Sequence, residues 1–149
     1  VGTLMVGPER RTTATTWEGI LDKPYSHHAM THRIAKYLEQ LLILDRFHVS
    51  VFARLIERMD SIEESNGTTL LDNTIFTMGA GMGDGMTHQY NDLPLVVAGG
   101  GGGKLKLGSH IHCKTGTPLA NLWLTHLHAL GIERKVYADS NGTIGEILG

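Results

Sequence analysis

Ile34, Leu38, Leu41, Phe52, Leu55 and Met59 recur at spacings of three, four and seven, the stride of one face of an α-helix. They predict a helix from about Arg33 to Asp60, with Asp45 and His48 on the same stripe. Such a helix would be about 42 Å long at about 1.5 Å per residue. That exceeds a compact small domain, so the helix should meet partners beyond this chain or break within its length. Val1-Gly-Thr-Leu-Met-Val6 reads as a buried strand entered midway, whose sheet neighbours must come from elsewhere. The chain is therefore expected to be the C-terminal part of a longer protein.

Residues 7–32 read as a polar loop broken by Pro8 and Pro24, with His27, His28 and His32 near its end. Ser65-Asn-Gly-Thr68 is a turn signal ahead of a strand at Thr74–Met78. Leu95–Ala98 is a second short apolar run, of the kind expected for a strand covered on both faces. The segment joining these two strands permits either a parallel or an antiparallel relation. Gly99–Gly103 cannot hold regular structure, and Lys104 to Gly116 is a loop or short hairpin. Thr117 as N-cap and Pro118 at the first helical position open a second helix through Leu119, Leu122, Trp123, His126, Leu127 and Leu130, which Gly131 closes. Strand, helix, strand, strand, helix favours a single α/β domain over 1–149, a layered sheet with flanking helices.

Composition narrows the function classes. At 149 residues the chain is long enough for one domain with a sizeable core. A net charge of -2 carries no footprint for nucleic acid, and no apolar run approaches a membrane span. The lone Cys113 excludes an internal disulfide. Nine histidines in a chain with 19 glycines point instead to metal ligation or acid–base work.

The segment from Asn73 to Gly99 concentrates that chemistry, with Asp84 and His88 in a glycine-dense loop just past a strand end, where open α/β sheets place their ligands. Gly79-Ala-Gly-Met-Gly-Asp-Gly85 has glycine at every second position, so it matches neither the dinucleotide fingerprint nor a phosphate-binding P-loop. Asp84 and His88 can present two ligands on one side of the loop, a pair that zinc accepts. Asp84 reads equally as the residue of an Asx-turn. His27 and His28 point to opposite sides of an extended segment, so that one can ligate while the other orients it or contacts substrate. Asp45 and His48 lie one helical turn apart, as a core hydrogen-bonded pair or as a carboxylate–imidazole pair behind a metal. His126 falls on an apolar face as a core histidine, while His32 and His128 read as exposed. Arg10 and Arg11 can clamp an anion. There is no nucleophile elbow and no supported Cys–His pair, so no catalytic nucleophile is assigned.

Ser26-His-His28, Asp45-Arg-Phe-His48, Leu70-Leu-Asp-Asn73, Gly79–Gly85, His88, Asp92-Leu-Pro94, the glycine run, Gly108-Ser-His110 and Thr117-Pro-Leu-Ala-Asn-Leu122 occur in this order. Together they resemble the C-terminal portion of the bacterial domain-of-unknown-function 1552 family, itself similar to the alkaline phosphatase and sulfatase superfamily. The resemblance implies an exported, periplasmic or extracellular protein with an alkaline-phosphatase-like fold. It implies a divalent metal such as zinc, and an anionic phosphate or sulfate ester as substrate. Asp84, His88, His28 and His110 would then be metal ligands. His27, Asp45, His48 and Arg11 would support them or contact substrate. The sequence departs from sulfatases in carrying Gly83-Asp84-Gly85 where they have adjacent Asp and His. The rival expectation is a non-catalytic surface module whose loops bind a polysaccharide or a protein.

Overall fold

In a computed structural model, the structure describes residues 1–7, 14 and 17–149. The described residues form three α-helices, α1 (His27–Thr31), α2 (Ile34–Asp60) and α3 (Ala120–Ala129), with strands β1 (Phe76–Gly79) and β2 (Leu95–Ala98) and a final 3-10 turn at Gly145–Ile147. None of these helices is long and apolar enough to cross a membrane. They group into two compact units, one of residues 1–54 and 79–95, the other of residues 55–78 and 96–149.

The first unit is built on α2. Its predicted apolar stride is present, and the expected break falls at Tyr37, whose φ of -120° and ψ of 18° leave the helical region. Leu41 and Leu44 bury on one side of α2 and meet Met30 of α1, with Trp17, Ile20, Leu21, Tyr25 and Tyr37 packed around them. Burying a side chain such as Met30 or Leu44 is worth about 1.5–3 kcal/mol, enough to hold a helix as short as α1 in place. Leu38 and Ile34, expected on the covered stripe, are exposed. Val1–Val6 is also exposed and forms no strand, which corrects the opening-strand expectation. Without hydrogen-bonding neighbours, six apolar-rich residues have no ladder to join.

The second unit centres on α3, where Ala120, Leu122, Leu124 and Ala129 are buried together with Asn121, Thr125 and His126. Of these, Asn121 and Thr125 are paired with the C-terminal segment, whereas the buried His126 Nε2 has no hydrogen-bond partner. The Asn121 side chain donates to Asn141 Oδ1 at 3.0 Å and accepts from the Asn141 N–H at 2.9 Å, while Thr125 Oγ1 accepts from the Ile144 N–H at 2.8 Å. The helix begins later than its sequence signals imply. Thr117 Oγ1 donates to the Lys114 carbonyl instead of capping, and regular helix starts at Ala120. Its end is as predicted: Gly131 takes φ 75°, its N–H reaches the His128 carbonyl, and the Ile132 N–H reaches that of Leu127, a Schellman closure.

The glycine run has a defined task in this unit. At Gly99, with φ 89°, a Cβ would collide with the Thr74 carbonyl and lie 2.8 Å from that of Leu71. Backbone N–H groups of Gly100, Gly101 and Gly102 donate to Leu71, Thr74 and Asp72 carbonyls respectively. The five glycines thus lack helix or strand, as expected, yet they dock onto the Leu70–Asn73 turn. β1 and β2 pair with each other. Ala80 donates to Pro94 at one end and Gly101 to Thr74 at the other, so the two strands run antiparallel. Leu95 and Val96 are exposed, so β2 is not covered on both faces here.

Candidate metal centre

Ser26 starts α1: its hydroxyl accepts from the Ala29 N–H at 3.2 Å, the usual task of an N-cap. The segment read as a loop is therefore one helical turn at this point. Met30, in its second half, is buried, and residues two positions to either side lie roughly opposite it at 3.6 residues per turn. His28 and the helix-ending His32 consequently share the face turned away from the core, one turn apart. His27, a step round the helix from His28, is half-buried, as is His28 itself.

The loop after β1 supplies the third imidazole. The Gly83 N–H donates to the Gln89 carbonyl at 2.9 Å and the Gln89 N–H to the Asp84 carbonyl at 3.1 Å, closing 84–89 into a tight turn. Asp84 holds this turn from inside. Its carboxylate accepts from the Met86 N–H and the Thr87 hydroxyl, both at 2.7 Å. These bonds, the Thr87 hydroxyl foremost and then the Met86 amide, with a smaller contribution from nearby His88, hold the Asp84 carboxyl below its ordinary range. His88 adopts φ 57°, a left-handed conformation in which histidine is enriched among non-glycine residues. Two glycines make the placement possible. A Cβ on Gly83 would collide with the Asn91 carbonyl, and one on Gly85 would lie 3.0 Å from Thr31 Cβ at the end of α1.

The result is a cluster of three histidines. One ring nitrogen each from His28, His32 and His88 lie within 4.8 Å of one another. His88 Nε2 and His32 Nε2 are 3.2 Å apart. The rings of His28 and His32 meet edge-to-face at 4.6 Å between centroids, those of His32 and His88 at 4.9 Å, and His28 stacks on His88 at 6.0 Å. His28 is partly buried and the other two are exposed, so the group is open to solvent. Three imidazoles are a donor set that zinc accepts, in the way carbonic anhydrase uses three histidines.

Behind His28, the half-buried His27 faces α2. Burial pushes its pKa below the ordinary 6.5; Asp45 opposes that shift, while His48 and His28 add to it. His48 itself packs edge-on against Trp17 at 5.9 Å. Asp45 and His48, the other expected supporting residues, thus each lie within electrostatic reach of His27. His27 and His28 diverge because of helical rotation, not the strand alternation that the sequence suggested.

Of the four expected ligands, His28 and His88 come together. Asp84 lies in the same loop, but its carboxylate holds the turn and is not among the clustered groups. His110 is exposed in the other unit, and Arg11 lies outside the described residues. His32, read as merely exposed, is the member that sequence reasoning missed. The signal was present: serine two residues before His28 is an N-cap, and a helix starting there puts His28 and His32 on one face. No protein family, curated protein or solved structure matches the chain.

Proposed function

We propose that this chain carries the metal-binding part of an exported, alkaline-phosphatase-like hydrolase of phosphate or sulfate esters. The observation that carries the reading is the convergence of His28, from the Ser-His-His segment, with His88, from the glycine loop. Fifty-nine intervening residues separate them in sequence, and nothing in local structure alone requires them to meet. A divalent cation held there supplies Lewis acidity that polarises an ester oxygen and offsets developing charge. The chain's own residues perform the positioning. Gly83 and Asp84 fix the turn that presents His88, Ser26 and Met30 fix the helix that presents His28, and His27 stands behind it with Asp45 and His48.

The experiment is turnover of a panel of phosphate and sulfate monoesters by the full-length protein, before and after chelation. The expected result is activity lost on chelation, restored by zinc, and absent in His88→Ala. The exposed rings and the lack of an assigned nucleophile favour a second reading, a surface module that binds polysaccharide or protein without chemistry. No turnover of any ester at any zinc concentration, with the protein folded, selects that reading.

A further inference from the structure

Resting on the metal-dependent reading above, we propose that His28, His32 and His88 are the complete protein donor set for one divalent cation of the zinc class, with Asp84 outside it. The 3.2 Å between His32 Nε2 and His88 Nε2 is close to the separation of about 3.3 Å that two nitrogens have when each lies about 2.0–2.1 Å from a tetrahedral ion. His28 and His32 stand at positions i and i+4, the spacing with which helical histidine pairs grip one cation. All three nitrogens already lie within 4.8 Å of one another.

The chemistry of the donors selects the ion. Imidazole is a borderline ligand that suits zinc, cobalt, nickel and copper, whereas magnesium and calcium require oxygen. Asp84, four residues before His88, already has both oxygens engaged by Met86 and Thr87. With three neutral donors the cation keeps its full charge, and coordination positions remain for an external oxygen. The site is therefore set to attract an anionic or polarisable oxygen ligand from solvent.

Equilibrium dialysis of the whole chain against zinc, with magnesium and calcium in large excess and metal content read by elemental analysis, tests the donor set. Cobalt(II) loading followed by visible absorption reports coordination directly. The expected result is a single zinc per chain that excess magnesium does not displace, and cobalt bands of four-coordinate intensity. His32→Ala and the ring-retaining His32→Phe should each weaken zinc at least about tenfold. Asp84→Asn, which can keep the turn, should bind within about twofold of the parent, as expected for a group outside the donor set. Circular dichroism on every variant separates ligand loss from misfolding. Unchanged zinc affinity in folded His32→Phe overturns the proposal, as does displacement by magnesium or loss of binding in folded Asp84→Asn. A zinc-loaded protein that turns over no ester leaves this site standing and removes only the hydrolase reading. Turnover that persists when His32 is replaced does the reverse.

Discussion

His88 and His126 are the same residue type in opposite circumstances. His88 is exposed, left-handed in φ, and within hydrogen-bonding distance of another imidazole on an element far away in sequence. His126 is 9% exposed on α3, its ring edge-on to Trp123 at 5.5 Å, and its buried Nε2 has no hydrogen-bond partner. Around His88 the backbone is tight, shaped by Gly83 and Gly85, and contributes little burial. Around His126 the packing is dense and the neighbouring polar side chains, Asn121 and Thr125, are paired. A solvent-open imidazole beside two others can accept a ligand. A buried, unpartnered one is held by packing in its neutral form. Histidine count alone cannot separate these cases; burial and partners do.

If the α3 region serves stability and the 80–94 loop serves binding, mutations should sort accordingly. Leu124→Ala, at a side chain 2% exposed, should cost about 2–5 kcal/mol, read as a lowered urea midpoint. It should leave zinc affinity in the folded protein unchanged. Loss of zinc binding in folded Leu124→Ala would break the contrast.

Gly83→Ala should do the opposite. Its new Cβ meets the Asn91 carbonyl, so the turn must open and His88 must move. Zinc affinity should fall about tenfold, by analogy with displaced outer supports of metal ligands, with a smaller loss of stability than in Leu124→Ala. Dialysis and denaturation on the same samples read both quantities.

A third effect is a pH dependence to which His126 contributes beside the likewise lowered His27. Burial lowers the His126 pKa from the ordinary 6.5, so the unfolded chain takes up the proton first. Stability from this group is complete above 6.5 and declines as pH falls through that value toward the lowered folded one. His126→Leu should reduce the change in urea midpoint across this window, leaving the part due to His27, and should not lower stability at neutral pH, because it removes an unpaired buried nitrogen. An unchanged pH profile in His126→Leu would assign the dependence to other groups.

The smallest effect is local. Thr87→Val removes the hydroxyl that does most to lower the Asp84 carboxyl. An NMR titration should show that carboxyl moving up toward its ordinary 3.8, while zinc binding changes little if Asp84 lies outside the donor set.

Much of the local structure was legible in the chain. The stride of Leu41, Phe52 and their neighbours marks α2, Gly131 marks the end of α3, and Asn66-Gly67 marks a turn in which Gly67 takes φ 80°. These signals work because helix rotation, left-handed glycine and side-chain capping act over a few residues. His28 and His88 were also legible as candidate ligands of one site, and the structure brings their rings near each other. Other features depended on groups distant in sequence. Val1–Val6 has strand composition but no strand partner among the described residues. Asp84 was open between ligand and turn, and only the positions of Met86 and Thr87 placed its oxygens. His32 joined the cluster because Met30 buries against Leu41 and Leu44, which turns the opposite face of α1 outward, and because Gly85 lets the loop approach Thr31. Periodicity and propensity were readable one residue at a time. The grouping of three imidazoles was decided by packing, since the burial of one side chain sets the direction of others that never touch it.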